Sequence, residues 1–190
     1  MKIIGGKYKG KNFYMPEGIR PTQDIVRKAL FDLLGRDLSG MTFLDLFAGS
    51  GSVGLEAVSR GAVQVTFVER VFRSCEIIRE NLILLSAGAD EGGRVPCEVM
   101  SGDAFAAVKL LARKGRKFDI IFADLSMPGE NGLVLLEKSK KGFPDIPVVM
   151  ITAFGDWDVY AKAIEKGAVK FVNKPVKMGE IVQIIKDVLG

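Results

Sequence analysis

The sequence predicts an α/β fold: a single doubly wound parallel sheet with helices on both faces, preceded by a basic β-arm and a helix. Three observations carry this. Apolar runs at Thr42–Phe47, Gln64–Glu69, Pro96–Met100, Phe118–Asp124, Pro147–Ala153 and Val169–Pro175 have the length of buried strands rather than of helices. Amphipathic stretches between them give the spacing of βαβ units, not of hairpins. A glycine turn, Gly49-Ser50-Gly51-Ser52-Val53-Gly54, joins the first run to its helix. In such a sheet chemistry gathers beyond the carboxyl ends of the strands, where this chain keeps Glu69 and Asp124.

The chain has 190 residues, enough for one large α/β domain, and its 26% charged residues suit a water-facing surface. No apolar run approaches the roughly 18 residues of a membrane helix, and the polar start at Met1–Lys7 is too short for a secretory signal. Cys75 and Cys97 match no metal or redox spacing, so reduced thiols, no disulfide partner and a cytoplasmic location are expected. Histidine is absent, which removes Ser-His-Asp and Cys-His nucleophile systems and every His-ligated metal site.

Charge is unevenly placed. Residues 1–40 carry eight Lys/Arg and four Asp/Glu, a surplus of +4; residues 41–190 carry 19 of each. The surplus begins in Gly6-Lys7-Tyr8-Lys9-Gly10-Lys11-Asn12-Phe13-Tyr14, where cations alternate with aromatics in a glycine-punctuated pattern that predicts a hairpin. Lys7, Tyr8, Lys9, Lys11 and the later Arg20 suit phosphates and splayed bases. An arm that packs its aromatics on the body is the other reading of the same pattern. Thr22 is placed to cap a helix with apolar positions Ile25, Val26, Ala29, Leu30, Leu33 and Leu34, stopped by Gly35.

The Thr42 strand then enters the G-x-G-x-x-G turn, where glycines let the backbone approach a ligand at a helix amino terminus. Glu69 ends the next strand twenty residues after Gly49, and a carboxylate there accepts both ribose hydroxyls of an adenosine ligand. Nicotinamide dinucleotides and S-adenosylmethionine both fit, as does a glycine turn with no ligand. A helix over Arg73–Ala87 leads to the Pro96 strand and Ser101-Gly102-Asp103-Ala104-Phe105, with Asp103 placed for an adenine amino group and Phe105 near its ring. A further helix runs from about Phe105 to Lys114.

Residues 1 to about 124 resemble the bacterial family that methylates a guanine N2 in small-subunit ribosomal RNA with S-adenosylmethionine. The matching pieces are Ile4–Gly10, Arg20-Pro21-Thr22, Leu44–Ala57, Phe67–Arg70, Gly102-Asp103-Ala104 and Phe118–Asp124. The resemblance implies S-adenosylmethionine rather than a nicotinamide, held by Asp45, Gly49, Gly51, Glu69, Asp103 and Ala104, and a ribosomal RNA partner for the arm. In that family the fourth strand is followed by Asp or Asn, two prolines and an aromatic. Together these grip the target amine and stack the flipped base. Here the segment is Asp124-Leu125-Ser126-Met127, which keeps the acid and loses both prolines and the ring. Efficient methyl transfer is not expected.

From Phe118 onward the chain is similar to the carboxy-terminal half of a response-regulator receiver. Asp124–Gly132 matches the phosphoacceptor loop, Pro147–Ala153 the next strand and Val169–Pro175 the last. The resemblance implies Asp124 as acceptor, Thr152 at the phosphoryl group and Lys174 paired with the phosphoaspartate. Receivers hold Mg²⁺ with an acidic pair at the end of their first strand. Here that strand offers Asp45 alone, and no metal is expected outside the receiver reading.

In the methyltransferase order the fourth strand lies beside the first, and in the receiver order the third does the same; Asp124 ends that strand in both. Joining the halves there predicts one Rossmann-like sheet, order 3-2-1-4-5-6, all parallel with right-handed crossovers. Helices Gly132–Lys141, Trp157–Lys166 and Met178–Val188 would cover the added strands. The expectation is one continuous domain over 1–190: arm and first helix over 1–40, a methyltransferase-like half over 41–124 and a receiver-like half over 125–190. Each half lacks partner residues of its family, which points to an engineered chimera with catalysis impaired or lost. A receiver-type module phosphorylated on Asp124, or a scaffold without activity, is the alternative.

Overall fold

A computed structural model describes residues 1–18, 24–87, 96–124, 132–145, 148–152, 157–168 and 170–173. In chain order they form α1 (Asp24–Leu34), β1 (Thr42–Leu46), α2 (Ser52–Ser59), β2 (Gln64–Glu69), α3 (Phe72–Ser86) and β3 (Cys97–Ser101). Then come α4 (Ala104–Arg113), β4 (Ile120–Asp124), α5 (Gly132–Gly142), β5 (Val148–Thr152), α6 (Trp157–Glu165) and β6 (Lys170–Asn173). The expected elements lie within a residue or so of these bounds. Thr22 and the Met178–Val188 helix lie outside the described residues.

The six strands make one sheet in the order β3-β2-β1-β4-β5-β6, every pair parallel, as the sequence predicts. Period-2 alternation along β1 shows how the sheet is wound. Phe43 joins a core with the arm, α1, α2 and α3, through Ile3, Phe13, Phe31, Leu55, Phe67 and Ile78. Leu44 and Leu46 join a second core with α4, α5 and α6, through Val108, Leu111, Leu136, Phe143 and Ala163. The chain changes face between β3 and β4, so the reversal of strand order falls between β1 and β4. In an open α/β sheet the crevice at that point, beyond the carboxyl ends, receives ligands.

The arm is a short antiparallel hairpin, as the sequence predicts, with Lys2 bridged to Asn12, Ile3 N donating to Lys11 O, Gly10 N to Ile3 O and Phe13 N to Met1 O. It is fastened to the body by backbone groups. Lys7 N donates to Ser59 O at 2.6 Å, Tyr8 N to Ser59 Oγ at 2.9 Å, and the Asn81 side chain bonds both Tyr14 N and Tyr14 O. Burial of Ile3, Tyr8 and Phe13 repays the ordering of this short segment. In α1, Ile25 of the predicted apolar stripe faces outward, while Leu30 and Phe31 carry the packing. Among the described residues no helix is long and apolar enough to cross a membrane.

Candidate functional site at the sheet reversal

The glycine turn is built by close approach. Gly51 precedes α2 with φ 72°, a left-handed conformation that disfavours any side chain. A Cβ on Gly54 would lie 2.2 Å from Phe67 Cε1, so only glycine lets α2 press onto β2. Asp45 lies beneath the turn, 1% exposed, with Oδ2 accepting from Gly54 N at 3.0 Å. Its geometry makes it a residue that positions the turn. Phe47, the first residue past β1, has φ 59°, a strained conformation for an aromatic, at the mouth of the reversal.

Glu69 ends β2 with both carboxylate oxygens held. Oε2 accepts from Gly49 N at 2.8 Å and Oε1 from Val71 N at 2.7 Å. Two backbone donors fix its rotamer against the glycine turn, and each oxygen keeps a lone pair for a hydroxyl. One strand further, Asp103 caps α4, its Oδ1 accepting from Ala106 N at 2.9 Å, and the buried Ala104 follows. The Phe105 ring meets Phe47 edge-on at 6.5 Å, and Lys138 Nζ from α5 stands 4.3 Å above its centroid. The sequence places Asp45, Gly49, Gly51, Glu69, Asp103 and Ala104 in one site, and the fold brings all six to the carboxyl edge of β1, β2 and β3.

Asp124 and Thr152 end the neighbouring strands β4 and β5, and Thr152 is in register with Asn173 of β6. Lys174 lies outside the described residues, as do Arg20, Leu125-Ser126-Met127 and the side chains of Asp124 and Thr152. Among the described residues no group of three or more His, Cys, Asp or Glu could hold a metal. Burial pushes the Cys75 thiol up, Glu69 adding to the shift, which leaves it a poor nucleophile at neutral pH.

On the arm, Lys7, Lys9 and Lys11 are exposed, but Tyr8 is 5% exposed and packs into the core. That corrects its place in a base-stacking surface. Lys7 and Lys11 stand over its ring with their ammonium groups at 5.8 and 5.1 Å, and the arm's exposed ring is Tyr14. Two features escaped sequence reasoning. One is a buried ionic cluster of Arg27, Glu56 and Arg60, signalled only by a carboxylate inside the apolar Leu55-Glu56-Ala57. The other is the exposed pair Val71-Phe72 directly after Glu69.

Comparison with known proteins fits this geometry. A family model described as conserved hypothetical protein 95 matches residues 1–145, more than half of the chain. The chain belongs to this family. The match runs past Asp124, where the sequence places the join. The ribosomal RNA small subunit methyltransferase D of Escherichia coli is 36% identical over 126 residues, 65% of this chain and 59% of that protein. The chain thus spans under two thirds of that relative's length. The solved putative methyltransferase yhhF of Escherichia coli is 34% identical, covering 76% of this chain and 72% of its own, at a TM-score of 0.60. A putative methyltransferase, SMU.776, solved in complex with SAH shares the fold at a TM-score of 0.60 and 20% identity, covering 77% of this chain and 40% of its own. The response regulator PilR of Pseudomonas aeruginosa is 36% identical over 83 residues, 44% of this chain and 18% of that protein. One sheet therefore carries resemblances to two families.

Proposed function

We propose that the chain is an S-adenosylmethionine-binding, ribosomal RNA methyltransferase-like protein working as one continuous unit over 1–190, with methyl transfer impaired or lost. The observation that carries the reading is Glu69, pinned by Gly49 N and Val71 N at the reversal of the sheet. A carboxylate fixed in this way meets the paired hydroxyls of a ribose without losing side-chain entropy on binding. Asp103, already ordered as the α4 cap, offers its second oxygen to an exocyclic amine, and Phe105 supplies apolar surface beside it. Asp45 acts through the turn, holding Gly54 N so that the glycine backbone stays open to the ligand. Related proteins named as methyltransferases, one solved with SAH, support the cofactor class.

Loss of catalysis follows from chemistry. A guanine amine is a poor nucleophile and needs acceptors for its hydrogens and a ring to hold the base in line. Asp124-Leu125-Ser126-Met127 supplies the acid alone, and partner residues are missing for both families, which favours an engineered join. The cations Lys7, Lys9, Lys11 and Arg20 make ribosomal RNA the partner in view.

The test is a calorimetric titration with S-adenosylmethionine and S-adenosylhomocysteine. Micromolar-range binding is expected, with about a 100-fold or greater loss in Glu69→Ala, which removes charge-assisted bonds to two hydroxyls. A folded protein that produces no heat with either ligand makes the chain a scaffold and ends this reading. The second reading, phosphorylation on Asp124, draws on Asp124 and Thr152 at adjacent strand ends. It expects beryllofluoride with Mg²⁺ to shift amide spectra around Asp124, Thr152 and Lys174.

A further inference from the structure

We propose that Phe72, with Val71, is a stacking platform for an unpaired base of single-stranded RNA beside the adenosine site. The proposal rests on the reading of the protein as an RNA methyltransferase-like chain and assigns its RNA a surface other than the arm. Phe72 is 64% exposed and Val71 50% exposed, at the point where β2 turns into α3. An aromatic held so far out of a core contributes little to folding and leaves its ring available to a ligand. The fold holds the pair in place. Val71 N donates to Glu69 Oε1 at 2.7 Å, and α3 starts at Phe72, so the ring sits on a regular element and not on a free loop. Three residues of chain separate it from Glu69, a reach of at most about 11 Å between their Cα atoms.

Charge selects the occupant. Exposed Arg70 and Arg73 flank the pair, giving Arg-Val-Phe-Arg, cations on either side of an aromatic face. Arg73 Nη1 lies 3.3 Å from Glu76 Oε2, an exposed pair weak enough for a phosphate to compete for the guanidinium. Phosphates along cations with bases on aromatic faces is how single strands are held without sequence readout. Phe47 and Phe105 meet each other edge-on and are only partly exposed, so among the described residues Phe72 is the exposed ring at this corner.

The test uses a fluorescein-labelled 12-nucleotide RNA of mixed sequence and an abasic strand of the same length. Phe72→Ala is expected to weaken binding of the RNA by about 5- to 100-fold, the range for one base stacked on one ring. It should leave the abasic strand, the melting temperature and S-adenosylhomocysteine binding unchanged. Phe72→Trp keeps the affinity, and RNA quenches its added emission beyond any change in Trp157 of the unaltered chain. Phe72→Leu, apolar without a ring, behaves as the alanine variant does. Equal affinities for wild type and Phe72→Ala overturn the platform. If neutralising Lys7, Lys9 and Lys11 still weakens binding in that case, the RNA reading stands and only this assignment falls. A wild-type chain that binds neither strand overturns both. A Phe72→Ala protein that changes its sedimentation but not its RNA affinity marks the corner as a protein contact, which also overturns the proposal.

Discussion

Replacing Glu56 by alanine is expected to destabilise the protein by about 3–5 kcal/mol, the cost of leaving buried charges without their partner. At this chain length that is a fall in Tm of roughly 10 °C or more. Glu56 is fully buried on α2, and its two oxygens are shared among three elements. Oε1 accepts from Arg60 Nε at 3.1 Å and lies 3.0 Å from Arg60 Nη2. Oε2 accepts from Ile4 N of the arm at 3.0 Å and faces Arg27 Nη1 of α1 at 3.9 Å. Arg27 is itself fully buried and keeps its bonds to Asp24 and the Lys2 carbonyl, so removing the carboxylate strands chiefly the Arg60 guanidinium and the Ile4 N–H. Glu56→Gln keeps the shape and an acceptor, and loses less. Glu56→Leu combined with Arg60→Met, which removes one charge of each sign, is expected to recover part of the loss. Thermal melts followed by circular dichroism decide it: an alanine variant within about 1 kcal/mol of wild type means the cluster is not a mutually dependent unit.

That cluster shows where sequence reading stops. The strands were legible because apolar runs of strand length alternating with amphipathic stretches have few other interpretations, and the glycine turn fixed which strand came first at the site. The order 3-2-1-4-5-6 followed because Asp124 ends the strand beside β1 in both families that the chain resembles. Glu69 was legible as a strand-end carboxylate, and Asp103 as the acid in the turn just past the next strand. Their fixing donors, Gly49 N, Val71 N and Ala106 N, depend on turn geometry that spacing does not encode. Tyr8 was misplaced for a related reason. Alternating cations and aromatics describe an arm equally well whichever way its rings face, and only the anchoring of Lys7 N and Tyr8 N to Ser59 turns Tyr8 inward. The resemblance implies Asp45 as a ligand contact together with its sequence neighbours. Its burial follows from β1 lying in the centre of the sheet, with Gly54 N as its partner. Val71-Phe72 escaped because an apolar pair at a helix start reads as core until its exposure is known.

Gly54→Ala sets two effects of opposite sign against each other. In an exposed helix the change stabilises by about 1 kcal/mol, because alanine loses less backbone entropy on folding. Here the new Cβ would stand 2.2, 2.8 and 2.9 Å from three carbons of the Phe67 ring. Phe67 is fully buried in the middle of β2, paired with β1 on one side and β3 on the other, so the ring has nowhere to retreat. Overpacking costs about 1–3 kcal/mol and more where backbone must shift, so destabilisation wins. The shift that relieves the clash lifts the start of α2 from β2, and Gly54 N moves off Asp45 Oδ2. Affinity for S-adenosylhomocysteine should therefore fall along with stability, although Gly54 offers the ligand no side chain. Phe67→Leu separates the causes: alone it leaves a cavity, but in the Gly54→Ala background it makes room for the methyl group. The double variant is expected to be more stable than the two single losses would add up to. Strict additivity of the two changes would mean that Gly54 and Phe67 are not in contact, and that something other than this close approach keeps α2 on the sheet.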